Sequence, residues 1–124
     1  MEFKQFLSGL QRIVGEENVV HHPDDLLVFE YDGSVDRGLP QAVVFPANTG
    51  EVSRVLALAH GAEVPVVGRG TGTGLSGGAI ASPGSIQVAF TRMNQILEVD
   101  TENRMALVEP GVINLDLDTR VRKL

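Results

Sequence analysis

The chain has 124 residues, of which 43% are apolar, enough for one small domain with a modest core and too many for a disordered tail. Sixteen acidic residues against ten basic ones give a formal net charge of −6, which argues against nucleic acid and against an anionic membrane as partners. There is no cysteine, which excludes disulfides and thiolate chemistry, and no apolar run nears the roughly 20 residues that span a bilayer. In chain order, Phe3, Phe6, Leu7, Leu10, Ile13 and Val14 recur at helical spacing up to Gly15, a helix stop. The same amphipathic pattern, starting directly after Met1, is not that of a signal peptide. Pro23 to Phe29 reads as a short helix with proline and acids in its first turn, followed by an irregular Tyr31-Asp32-Gly33-Ser34 segment.

Gln41 to Phe45 is an apolar run without alternation, ended by Pro46, and reads as a buried strand. Thr49 is then expected to cap a helix reaching about Ala62, with Val52, Val55, Leu56 and Ala59 on one face. Val64 to Val67 forms the next strand, completing a βαβ unit with parallel strands. Ile86 to Phe90 is a third strand. Ile96 to Val99 and Met105 to Glu109 pair as a hairpin across the Asp100 to Arg104 turn, and a helix starts at Asn114. The change from parallel to antiparallel wiring near residue 95 divides the chain into a subdomain over 1–94 and the start of a second over 95–124.

Between the second and third strands lies Gly68-Arg69-Gly70-Thr71-Gly72-Thr73-Gly74-Leu75-Ser76-Gly77-Gly78, with glycine at six of eleven positions. Without Cβ atoms, main-chain N–H groups can turn toward a ligand and approach it closely. Arg69 adds a permanent cation, and Thr71, Thr73 and Ser76 add hydroxyls, so the segment is suited to a diphosphate. It is not a mononucleotide P-loop, because the only lysines are Lys4 and Lys123. Gly72 to Gly77 fits G-x-G-x-x-G and Gly74 to Gly78 fits G-x-S-x-G. Both motifs need a helix directly afterwards, and Ala79-Ile80-Ala81-Ser82-Pro83-Gly84-Ser85 does not supply one. A serine triad would also need a later histidine, and the last is His60. His21, His22, Asp24 and Asp25 read as a helix start rather than a metal site, His60 as a cation at a helix end, Asp32 and Asp36 as turn residues, and Arg92 and Arg104 as surface residues.

The run from Pro65 to Gly78, then Arg92-Met93-Asn94-Gln95-Ile96 and Val108-Glu109-Pro110-Gly111-Val112, resembles the N-terminal part of FAD-linked oxidases of the vanillyl-alcohol oxidase and p-cresol methylhydroxylase class. Within that class the resemblance is to the flavin subunit of glycolate oxidase and to D-lactate dehydrogenases. It implies an α+β fold: an FAD-binding domain of the p-cresol methylhydroxylase type, with a βαβ subdomain on a small parallel sheet and the start of a second, antiparallel subdomain. It implies that Arg69, Gly70, Thr71, Gly72, Thr73, Gly74, Gly77 and Gly78 cradle the FAD pyrophosphate, with Pro46 and Val67 near the cofactor and Pro110 and Gly111 at the edge of the flavin site. Relatives that link FAD covalently often carry a histidine in this loop. Thr71, Thr73 and Leu75 stand there instead, so noncovalent FAD is expected.

The implied reaction is oxidation of a 2-hydroxy acid such as glycolate or D-lactate to the 2-oxo acid, with electrons passed to an acceptor or acceptor subunit. The implied setting is the cytoplasm, at the membrane periphery when part of a complex. Relatives run several hundred residues further, and their catalytic and substrate-binding residues lie beyond the equivalent of Leu124. The chain alone is therefore expected to be nearly inactive, and its surface around residues 105 to 117 is a candidate for self-association. The alternative is a noncatalytic module of the same fold that binds a nucleotide or another subunit.

Overall fold

A computed structural model describes residues 1–29, 40–70 and 84–124. Helix α1 (Phe3–Val14) buries Phe6, Leu10 and Val14 along one stripe and ends where Gly15 takes φ 96°. A single 3₁₀ turn (Glu16–Asn18) leads into β1 (Val19–Val20), and α2 (Pro23–Leu26) follows, extended by a 3₁₀ turn over Leu27–Phe29. His22 caps α2 through Nδ1, which accepts from the Asp24 amide at 3.3 Å, and Pro23 fills the first turn where no N–H is needed.

Strands β2 (Ala42–Val44), β3 (Val66–Arg69) and β4 (Ile86–Ala89) run parallel, and β1 pairs antiparallel with β2. The order across the sheet is β1-β2-β4-β3, so β4 lies between the two strands of the βαβ unit. Every residue of β4 is buried, as expected of a central parallel strand covered on both faces. Strand β3 also begins and ends two residues later than the sequence suggests. Pro65 has no N–H to give a ladder, and its carbonyl accepts from Ile86 at 2.9 Å at the strand's threshold. Pairing then runs from Val66 opposite Ile86 to Arg69 opposite Ala89, which brings Arg69 into the sheet.

Helix α3 (Thr49–Gly61) connects β2 to β3 and packs with α1 on one face of the sheet. Phe6, Leu10, Val14, Val55 and Ala59 meet Ala42, Val44, Ile86 and Val88 there. The helices cross so closely that a Cβ on Gly9 would lie 2.7 Å from Leu58 Cδ2. The N-cap of α3 is Asn48 rather than Thr49: its Oδ1 accepts from the Glu51 amide at 2.9 Å, while Glu51 Oε1 accepts from the Ala47 amide at 2.8 Å. Asparagine ranks above threonine as a cap, because its carbonyl oxygen reaches the third helical amide. Asn48→Ala is expected to cost about 1 kcal/mol, read as a urea midpoint shift that Asn48→Asp largely avoids.

The opposite face of the sheet carries a smaller cluster of Leu26, Val43 and Ala89, with Val20, Phe29 and Phe45 against it. A separate two-stranded antiparallel sheet, β5 (Ile96–Asp100) and β6 (Met105–Val108), precedes α4 (Asn114–Val121). In its turn Asp100 accepts from Asn103, through the side-chain Nδ2 at 2.7 Å and the amide at 3.1 Å, and the side-chain bond first, then the amide bond, holds its pKa below the ordinary 3.8. A carboxylate whose pKa is depressed by folding stabilises fully above its unfolded value and loses that contribution as pH falls through the folded one. Asn103→Ala should therefore lower the melting temperature slightly at pH 7 and converge on wild type as the pH falls through the depressed folded-state pKa, a trend that melting curves between pH 2 and 7 would read.

Candidate functional site

Because β2, β3 and β4 are parallel, their carboxyl ends share one edge of the sheet. Ligands of open α/β sheets bind at that edge, where loops leave the strands and helix N-termini arrive. Here Phe45 and Pro46 leave β2 toward the capped start of α3, Gly70 leaves β3, and Phe90 leaves β4. Pro46 is fully buried beneath this edge. Arg92, just past β4, donates from Nη1 to the Phe45 carbonyl at 2.7 Å and so ties the exits of β4 and β2 together. Arg92 is exposed, as sequence reading placed it, but its bond across the sheet was not foreseen. An arginine two residues beyond an apolar run gives no signal of a carbonyl 47 positions earlier.

Of the residues expected to hold a cofactor, Pro46, Arg69 and Gly70 lie at this edge, and Val67 lies two register rows behind Arg69 on the same face. Gly70 is exposed, and among the described residues no atom lies within 4 Å of where its Cβ would stand. Thr71, Gly72, Thr73, Gly74, Gly77 and Gly78 lie outside the described residues, as do Tyr31 to Ser34, Asp32 and Asp36. Beyond that segment the chain goes directly into β4 through a turn at Gly84, without a helix between Gly84 and the strand.

The Arg69 side chain is 8% exposed, and its guanidinium carbon lies 5.2 Å from the centroid of the Phe29 ring, a cation–π arrangement. Phe29 in turn meets Phe45 edge to face at 5.9 Å, and its carbonyl accepts from Gln87 Nε2 at 3.4 Å. Gln87 is completely buried in the middle of β4. A glutamine within the otherwise apolar Ile86–Ala89 run was the one sequence signal for a polar cluster on this face, while nothing in the sequence pointed to Phe29.

Pro110 is exposed, whereas Gly111 is buried against the chain that leaves β4. The Gly111 amide donates to the Met93 carbonyl at 2.8 Å, and a Cβ on Gly111 would lie 1.8 Å from the Phe90 carbonyl oxygen. This glycine thus sits where the segment following β6 crosses the exit of β4. Among the described residues no group of three or more His, Cys, Asp or Glu could hold a metal ion, and no helix is long and apolar enough to cross a membrane.

A parallel sheet whose strand exits share one edge with the start of α3, followed by an antiparallel hairpin, gives the chain an α+β architecture. The FAD binding domain model matches residues 40–124, and the chain belongs to that family. It is 43% identical over 115 residues to the glycolate oxidase subunit GlcD of Bacillus subtilis, covering 92% of this chain and 24% of that protein. It is also 32% identical over 120 residues to a probable mitochondrial D-lactate dehydrogenase of Danio rerio, covering 96% of this chain and 24% of the relative. The crystal structure of p-cresol methylhydroxylase with substrate bound superposes with a TM-score of 0.86 at 23% identity, over 98% of this chain and 24% of that one, a likeness of fold. The chain thus spans about a quarter of the length of these relatives.

Proposed function

We propose that these residues form the cofactor-holding portion of a flavin-dependent oxidoreductase that oxidises a 2-hydroxy acid, of the glycolate or D-lactate type, to the 2-oxo acid. The observation that carries this reading is the 43% identity to a glycolate oxidase subunit, which extends through the glycine-rich segment at the ligand-binding edge of the sheet. In this reading the main chain from Arg69 through Gly70, Thr71, Gly72, Thr73 and Gly74 to Gly77 and Gly78 donates N–H groups to the FAD pyrophosphate. Pro46 and Val67 shape the floor beside it, and Pro110 and Gly111 border the flavin. Bound flavin supplies the capacity to accept a hydride equivalent, while these residues bind and orient it. With Thr71, Thr73 and Leu75 in the loop, no imidazole is offered for a covalent link, and the binding is noncovalent. The division of labour falls near residues 94 and 95, with the second subdomain closing over the cofactor.

The residues that handle the hydroxy acid belong to the remaining length of such an enzyme. The natural partner is an electron-accepting subunit, in the cytoplasm or at the membrane periphery. Met105, Leu107, Ile113 and Leu115 are exposed, and self-association of the isolated chain would use this surface. A single monomeric boundary in sedimentation at high concentration would remove that part of the reading. The function itself is tested anaerobically, by adding glycolate or D-lactate to the FAD-loaded polypeptide that carries this domain. Bleaching of the oxidised flavin band is expected. Retained FAD with no bleaching by either acid would leave a binding module and remove the substrate class.

A further inference from the structure

The parallel sheet and the β5–β6 hairpin are joined by two short crossings, residues 90–95 leaving β4 and residues 109–112 following β6. The crossings hold each other. Glu109 donates from its amide to the Gln95 carbonyl at 2.9 Å and accepts from the Gln95 amide through Oε1 at 3.0 Å, and the Gly111 amide donates to the Met93 carbonyl at 2.8 Å. The outward crossing starts with a tight turn, closed by the Met93 amide on the Phe90 carbonyl at 2.8 Å, with the Met93 side chain buried. Bonds inside a turn fix its shape and leave its direction to outside contacts. Arg92 makes such a contact: its side chain is exposed, yet Nη1 donates to the carbonyl of Phe45, at the exit of the neighbouring strand, at 2.7 Å. Phe45 is a firm anchor, because its amide donates to the Asn18 carbonyl at 2.9 Å and Pro46 beyond it is fully buried. A charged donor on a carbonyl makes a stronger bond than a neutral one, and the planar guanidinium gives it direction.

We propose that Arg92 is a positioning residue for the joint between the two sheets. By holding the turn at residues 90–93 against the exit of β2, it fixes where Gly111, bonded to that turn, stands relative to Pro46. The inference rests on the flavin reading above and deepens it. Pro46 and Gly111 border the cofactor in that reading, so affinity for FAD depends on a side chain whose bond goes to main chain rather than to the cofactor.

The test compares wild type, Arg92→Met and Arg92→Lys in the purified chain, with thermal melting to confirm that each is folded. Methionine keeps the apolar stem of the side chain and removes the donors; lysine restores one charged donor. Residual dipolar couplings, read by NMR without FAD, report whether the two sheets share one alignment. Wild type and Arg92→Lys should show a single alignment for Ala42–Val44, Ile86–Ala89 and the hairpin, whereas Arg92→Met should lose coupling in the hairpin relative to the parallel sheet. A residue that only added stability would lower the melting temperature and leave that ratio unchanged. In FAD titration, Arg92→Met is expected to raise the Kd about five-fold, the size of one lost hydrogen bond, and Arg92→Lys to stay within about two-fold of wild type. A common alignment in Arg92→Met, or FAD binding by that variant as tight as wild type, would overturn the proposal and leave the flavin reading intact. A folded wild-type chain that binds no FAD would overturn the flavin reading, and the couplings would still decide whether Arg92 sets the joint.

Discussion

Gly111→Ala lowers the melting temperature by roughly 10–20 °C, the largest effect expected of a Gly→Ala change among the described residues. The added Cβ would stand 1.8 Å from the Phe90 carbonyl oxygen and 2.7 Å from that of Met93. Both neighbours are main chain, so no side-chain rotation relieves the overlap, and one of two backbone segments must move. Moving the 110–112 segment breaks the 2.8 Å bond from the Gly111 amide to Met93; moving the other disturbs the buried Met93 and the exit of β4. Overpacking of a close-packed interior commonly costs about 1–3 kcal/mol, and rigid neighbours on two sides put this site at about 3 kcal/mol or more. A shift of less than about 3 °C by calorimetry would show that the crossing is looser than these distances state.

Leu10→Ala is expected to follow closely, at about 2–5 kcal/mol, because Leu10 is wholly buried in α1 within the cluster that joins α1, α3 and the sheet. The cost has two parts, the lost transfer of the side chain from water and the void left among Phe6, Val55 and the strands, which the crossing at Gly9 and Leu58 keeps from collapsing. Leu10→Met preserves volume and should cost less than about 1.5 kcal/mol. Urea denaturation of the three proteins separates the two parts. A Leu10→Ala loss no larger than that of Leu10→Met would mean that this face of the sheet is not close-packed.

Local patterns carried much of this architecture. The apolar stripe of α1, the uninterrupted Ala42–Val44 run, the mostly apolar Ile86–Ala89 run, the Asp100–Arg104 turn and the glycine-rich exit after β3 are all periodic or compositional signals, which chain neighbours suffice to create. Features that depend on distant partners were not legible. Strand β1 is two residues long and exists because Val19 and Val20 find Val44 and Val43; no two-residue run announces itself. Nothing in Ile86–Ala89 says that it inserts between β2 and β3. Asn48 and Thr49 are both capping residues, and only the hydrogen bond to Glu51 separates them. The same limit applies at the site: the sequence marks Arg69 as a cation beside a phosphate-type loop, whereas its placement over Phe29 depends on a helix 40 positions earlier that packs on the same face. Gly111 likewise reads as one more loop glycine until the backbone of Phe90 is seen against it.

Titration of the purified chain with FAD, followed by quenching of flavin fluorescence and by equilibrium dialysis, bears most directly on the central claim. Saturation at about one FAD per chain, lost or weakened at least ten-fold in Gly72→Val, is the expected result, because a branched side chain in the cradle keeps the diphosphate from the main chain. A folded wild-type chain that shows no saturable binding, or a Gly72→Val variant that binds as tightly as wild type, would contradict the assignment of residues 69 to 78 as the flavin's anchor.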